Sequence, residues 1–184
     1  MPAVQEIATI LGINLGICIA SFVILWAIGC ALKDVTFVDA WWALGLAFMA
    51  VTTFFQADGA DARMQLLLAL ACVWGLRLGL YILWRWRSHG PDRRYVKMLS
   101  RAQETKGWSF PVASWRLVFM FQAPILWVVS MPVQLGQLSA TPAAIGTLGW
   151  IGAGLVVFGI LFESLADFQL VRFKANKANE GKVL

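Results

Sequence analysis

The chain has little charge, one histidine and three cysteines, and each scarcity removes a class of function. Charged residues make up 14% of the 184 residues, against about 25% in an average soluble domain. Cys18, Cys30 and Cys72 lie inside apolar runs and no two of them form a Cys-x-x-Cys pair. With His89 as the sole histidine, neither a zinc site nor a redox pair finds its ligands, and the metal expectation is none. A Gly-x-Gly-x-x-Gly turn is missing as well, which excludes a nucleotide held in the Rossmann manner.

Apolar residues are what the chain has in quantity, at 60%. Runs of about 20 residues recur, each long enough to cross a bilayer. The expected fold class is an all-α integral membrane protein with about five transmembrane helices plus a basic interfacial helix. The expected spans are 7–31, 37–56, 64–86, 114–134 and 143–169, in a single transmembrane domain over 1–184. The net charge of +5 is not a nucleic-acid signal, because the basic residues flank apolar helices and no nucleic-acid partner is expected. The N-terminal MPAVQEIATI has no basic region before its apolar run, so it reads as a retained anchor.

The link 87–113 and its edges carry Arg85, Arg87, Arg93, Arg94, Lys97, Arg101, Lys106 and Arg116. The hairpin QLGQLSATPAA carries no charge, and Arg172, Lys174, Lys177 and Lys182 come after the last span. The positive-inside rule then places the N-terminus outside and the long link and C-terminus in the cytoplasm. Within the link, Asp92 is positioned to cap a helix with Tyr95, Met98, Leu99 and Ala102 on one face. Two readings stay open for it: a basic helix on the anionic leaflet, or a lid gathering phosphate over a membrane-embedded site. Small residues at helix-packing spacing, Gly12 and Gly16, Gly75 and Gly79, Gly149 and Ala153, permit close helix contact.

Ionisable groups inside the spans stand out against this background. Arg77 falls about 13 Å inside the boundary near Trp86, and Arg77, Tyr81 and Arg85 form one stripe on the third span. Asp39 opens the second span; Glu163 and Asp167, four apart, sit in the last turns of the fifth. All four of Arg77, Asp39, Glu163 and Asp167 lie in the cytoplasmic half by the expected topology. They either brace the bundle by pairing or line a pocket open to the cytosol, with Gln122, Gln169, Arg172 and Lys174 crowding the same end. The cations suit phosphate; Glu163, Asp167 and Gln169 suit ribose hydroxyls or an amide. The residues alone indicate an intramembrane site for a polar, anionic cofactor or substrate.

Three segments carry a resemblance: FVDAWWALG, WGLRLGLYILWRWRSHGPDRRY and FESLADFQLVRFKANKANEGKVL. They resemble the bacterial branch of the steroid 5α-reductase superfamily, which implies a membrane oxidoreductase of a bacterial inner membrane. The resemblance implies NADPH held in a helical bundle and reduction of a carbon–carbon double bond conjugated to a carbonyl. The substrate implied is a lipid or steroid-like small molecule, with membrane lipids around the helices. Carried over by position, Arg77 is a phosphate-binding arginine, Glu163 and Asp167 are the polar pair that contacts the cofactor, and Gln169, Arg172 and Lys174 lie nearby. Family members carry Asn at the place of Glu163. Asp39 is the candidate for the acidic role at the substrate carbonyl and Tyr81 the candidate donor, since Trp74 stands where the family's tyrosine would be. The family continues into Gly-Leu-Trp-x-x-x-Arg-His-Pro-Asn-Tyr-x-Gly-Glu and about two further spans. The expectation is therefore an N-terminal part of that fold, truncated or completed by a second chain, and inactive alone. Methyl transfer from S-adenosylmethionine and a non-catalytic membrane scaffold are the alternative functions.

Overall fold

The computed structural model describes residues 4–57, 61–139 and 144–183. Every regular element among them is helical, with no strand. Five helices are long and apolar enough to cross a membrane, fitting an integral membrane protein: α1 Val4–Leu32, α2 Val38–Gln56, α3 Ala62–His89, α5 Phe110–Leu138 and α6 Thr147–Ala175. Between α3 and α5 comes α4, Arg93–Lys106, the expected basic helix. Residues 140–143 of the uncharged hairpin, with the first residue of the expected fifth span, lie outside the described residues. The chain divides into two compact units, 1–144 and 145–184.

In the first unit, α1, α2, α3 and α5 associate side by side. Gly75 and Gly79 let α3 lie directly against α2, as their spacing suggests. A Cβ on Gly75 would come 2.5 Å from the Ala43 carbonyl oxygen, and one on Gly79 would come 2.5 Å from Leu44. The other N-terminal pair does not behave this way. A Cβ on Gly12 or Gly16 would meet no described atom within 4 Å, so those glycines are not a helix contact here.

Two local irregularities set the α4 end of the bundle. Lys33 closes α1 in the left-handed conformation, φ 53°, and the Asp34 amide donates back to the Gly29 carbonyl at 3.2 Å. This six-to-one bond is the Schellman ending, unusual only in using lysine where glycine is common. A π-helical turn over Trp115–Phe119 interrupts α5 after its first five residues, and Val118 and Phe119 there are 2% and 0% exposed in the core. Phe22 and Cys18 of α1, Val35, Val38 and Met49 at α2, and Leu126 of α5 complete that core.

Leu99 and Ala102 of α4 belong to the same core, with Tyr95 and Met98 packed against it. The sequence reading of this face is therefore right in its residues, and the face packs on the bundle core. Asp92 caps the helix by accepting from the Arg94 amide at 2.7 Å. Lys97 and Arg101 remain exposed on the outer side. α4 is a lid on one end of the bundle.

In the second unit, α6 runs without a break to Ala175, and a short 3-10 turn comes after it at Lys177–Asn179. The Asn179 side chain donates to the Phe173 carbonyl at 3.0 Å and ties this tail to the helix.

Candidate functional site

The α4 end of the first unit gathers its polar groups through the turn between α1 and α2. Asp34 accepts from the Thr36 amide at 2.9 Å and the Thr36 hydroxyl at 2.7 Å with one oxygen. Its other oxygen accepts from the Trp86 indole of α3 at 2.7 Å. An aspartate bonded two residues ahead is the usual local partner of a turn. The Thr36 hydroxyl also accepts from the Asp92 amide at 2.9 Å, which fastens the start of α4 to the turn.

On that frame, Asp39 in the first turn of α2 meets α4. The Tyr95 hydroxyl donates to Asp39 Oδ1 at 2.6 Å, and the Arg94 guanidinium stands 3.7 Å from Asp39 Oδ2. Arg94 is held in turn by Asp92, with Nε and Nη2 donating to Oδ2 at 3.1 and 2.8 Å. The Trp42 indole donates to the Gln122 carbonyl oxygen at 3.0 Å, and the Gln122 side chain also reaches the Tyr95 phenol. One carboxylate thus faces a phenol on one oxygen and a guanidinium on the other.

This geometry fixes the electrostatics. Burial raises the Tyr95 phenol far above its ordinary range, and the hydrogen bond to Asp39 and the charge behind it push the same way. Arg94 and Gln122 oppose without reversing it. Tyr95 therefore keeps its proton at any physiological pH. Asp92, nearer to water, is held below the ordinary carboxylate range, chiefly by the Arg94 side chain. A small cleft of about 220 Å³ lies beside the pair, lined by Lys33, Asp34, Tyr95, Ser100, Gln103 and Phe110 among others.

The residues expected from sequence fall in three places. Asp39 and Gln122 both lie at the α4 end, where Tyr95 bonds Asp39 and Trp42 bonds Gln122. Tyr81 lies on α3 with its ring 6.0 Å from that of Trp84. Arg77, half-buried on α3, falls midway between the close-packed Gly75 and Gly79. Glu163, Asp167, Gln169, Arg172 and Lys174 all belong to α6 in the second unit, where the Arg172 guanidinium lies 5.6 Å over the Phe168 ring. Among the described residues no group of three or more His, Cys, Asp or Glu is placed to hold a metal.

Sequence reasoning overlooked Tyr95 as a donor because it read as one member of an apolar face. The signal was present: a tyrosine directly after two arginines, behind a helix-capping aspartate. It also overlooked the neutral amides, because only ionisable groups were counted within the spans. Asn14 donates to Thr53 at 2.8 Å and Gln134 at 2.7 Å and accepts from Gln56 at 2.7 Å, deep between α1, α2 and α5.

Comparison with known proteins adds a family and one relative. A family model described as "Protein of unknown function (DUF1295)" matches residues 25–184. An uncharacterized protein of Schizosaccharomyces pombe is 24% identical over 151 residues, covering 79% of this chain and 43% of the relative. The chain spans less than half the length of that relative. No solved structure matches it.

Proposed function

We propose a function from one premise: the chain belongs to the DUF1295 family, a steroid 5α-reductase-like family. The reading is a membrane-embedded, NADPH-dependent reductase of a conjugated carbon–carbon double bond in a steroid- or lipid-like substrate, of which this chain forms a part. The observation that carries it is the Tyr95–Asp39 contact, a phenol kept protonated against a carboxylate at the end of a transmembrane bundle.

The donor set fits a phosphorylated dinucleotide. The Arg94 side chain is 77% exposed beside the pair, and Arg85, Arg87, Arg93 and Lys97 are exposed on α3 and α4. Guanidinium groups take phosphate by bidentate, charge-assisted bonds. In the proposed reading Arg77 suits phosphate in the first unit; within α6 of the second, Arg172 and Lys174 suit phosphate, and Glu163, Asp167 and Gln169 suit ribose hydroxyls or an amide. When bound, NADPH supplies the hydride.

The chain's own work is proton handling and orientation. As the β-carbon of the enone is reduced, negative charge gathers on the carbonyl oxygen. A preorganised donor aimed at that oxygen stabilises it more than water would. Tyr95 is that donor once its single O–H turns from Asp39 Oδ1, where a 2.6 Å bond positions it, to the substrate oxygen; Tyr81 is the alternative donor. The buried apolar core under α4 backs the pair on its inner side.

The test is direct. Titrating NADPH into the purified protein quenches the fluorescence of its ten tryptophans if the cofactor binds. Arg77→Ala then weakens binding by about 1.5–3 kcal/mol, the range for a hydrogen bond to a charged group. Asp39→Asn leaves NADPH binding intact and removes enone reduction in the complete enzyme. An unchanged dissociation constant in Arg77→Ala removes that residue from the site. Binding of S-adenosylmethionine in place of NADPH replaces the reading with methyl transfer, and binding of neither leaves a scaffold.

A further inference from the structure

The link from α4 to α5 puts two cations on one indole. Gly107, left-handed at φ 64°, ends α4 directly after Lys106, and Ser109 leads into α5. Between them Trp108 has the Lys106 ammonium 4.5 Å from its ring centre and the Arg116 guanidinium 5.0 Å from it. Arg116 comes from the π-helical turn of α5, so the ring is shared between the end of one helix and the start of the next.

Both cations are exposed, while the indole is half-buried against the bundle core. Among the described residues neither cation is in an ion pair. Glu104, the one carboxylate of α4, stands two residues before Lys106, and residues two apart on a helix do not face each other. The negative face of an indole attracts a cation without cancelling its charge. Farther along the chain the surface turns apolar. Leu117, Phe121, Ile125 and Val128 are exposed in sequence from Arg116 into the membrane span, at spacings that keep them on one side of α5. Trp26 and Trp115 pack edge to face at this end with ring centres 5.4 Å apart, and the Trp26 indole donates to the Pro111 carbonyl at 3.1 Å. Indoles gather where a span meets the lipid head groups, and Lys106 and Arg116 stand at that depth.

We propose that Lys106 and Arg116, held by Trp108, bind the phosphate of an acidic phospholipid whose acyl chain runs along the exposed side of α5. The two unpaired charges select an anion, and both cations form charge-assisted hydrogen bonds to phosphate. The apolar strip that begins at Leu117 selects an anion carrying a long chain over a free phosphate or a soluble polyanion. A zwitterionic lipid brings its own ammonium, which the two cations repel. A fatty acid fits less well, because a carboxylate near an apolar layer is pushed toward its neutral form, whereas a phosphodiester stays ionised. Neither cation is used in the dinucleotide reading, and the site needs no dinucleotide.

The experiment uses the full chain in nanodiscs of equal parts phosphatidylglycerol and phosphatidylcholine, and native mass spectrometry reads the lipid kept on release. Retention of phosphatidylglycerol in preference to phosphatidylcholine is expected. Lys106→Gln and Arg116→Gln should each lower that preference about fivefold, and the double variant about 25-fold. Trp108→Leu keeps every charge and should lower it about threefold, a change that a diffuse basic surface does not produce. Lys97→Gln with Arg101→Gln removes as much charge from the outer side of α4 and should leave it within about twofold. Thermal unfolding is expected to be unchanged in the cation variants, and if the double variant fails to fold, the two single variants decide. Equal retention of the two lipids overturns the site. So does an unchanged preference in Trp108→Leu, or an equal loss in the Lys97 and Arg101 variant. Displacement of the phospholipid by oleate or by millimolar inorganic phosphate also overturns it, leaving a site for a free anion. NADPH binding is not a readout, so the reductase reading stands or falls separately.

Discussion

The two ends of the first unit solve one problem in opposite ways. At the α4 end, polar groups are ionic and joined in a series from Asp39 through Arg94 to Asp92, two partly buried carboxylates on either side of an exposed guanidinium. At the far end they are neutral and sealed, with Asn14 as the hub for Thr53, Gln134 and Gln56. Charge in a membrane protein is costly without water or a partner, whereas an amide is satisfied by another amide. The contrast indicates where proton chemistry is feasible. Titratable groups are gathered at the α4 end, and the amide end holds the helices together through neutral bonds.

Breaking the amide end should have the largest effect. Asn14→Leu removes three hydrogen bonds at once and strands Thr53, Gln134 and Gln56 in the interior. A loss of about 3 kcal/mol in detergent unfolding is expected, at roughly 1 kcal/mol per bond. Between the ends, Gly75→Val wedges α3 off α2 against the Ala43 backbone, which cannot yield as a side chain does. About 2 kcal/mol of destabilisation is expected, in the range for overpacking.

At the ionic end, Tyr95→Phe costs about 1.5 kcal/mol, the low end for a bond to a charged acceptor, since the pair is only partly enclosed. The difference from the parent protein depends on pH. A raised phenol pKa means that Tyr95 stabilises the fold fully below its unfolded value of about 10. That contribution fades as pH rises through the raised folded value, so the two unfolding curves should converge in strong alkali. Arg94→Ala is expected to have the smallest effect on unfolding, because its side chain is largely in water. Its signature is at acid pH. Asp92 is depressed by Arg94, so its contribution is present above the ordinary carboxylate range and lost as pH falls through the depressed value. The variant should lose part of that acid sensitivity, since the backbone amide of residue 94 still lowers Asp92, and Asn14→Leu should retain it in full.

Hydropathy made the spans legible, since little but a transmembrane helix accounts for apolar runs of this length. The α4 lid was legible too, because its cap and its 3.6-residue periodicity are local in sequence. Its partner was not, because the residues that receive Leu99 and Ala102 come from α1, α2 and α5 far along the chain. The same holds for the site. Asp39 could be singled out as a charge in the wrong place, but its pairing with Tyr95 joins residues 56 apart. Periodicity could place Tyr81 on one stripe with Arg77 and Arg85, because it sees only neighbours on one helix. The π-helical turn at Trp115–Phe119 had no expectation at all; no residue there announces the extra residue per turn. Asn14 went unremarked for a chemical reason, being polar without being charged.

One hydroxyl has a role larger than its size. Thr36, 8% exposed, gives its proton to Asp34 and takes one from the Asp92 backbone. Through it the latch of the α4 door is fixed to the turn that ends α1, which Trp86 grips from α3. Because one oxygen carries both bonds, the cap of α4, the turn that ends α1 and the Trp86 end of α3 share a single polar joint.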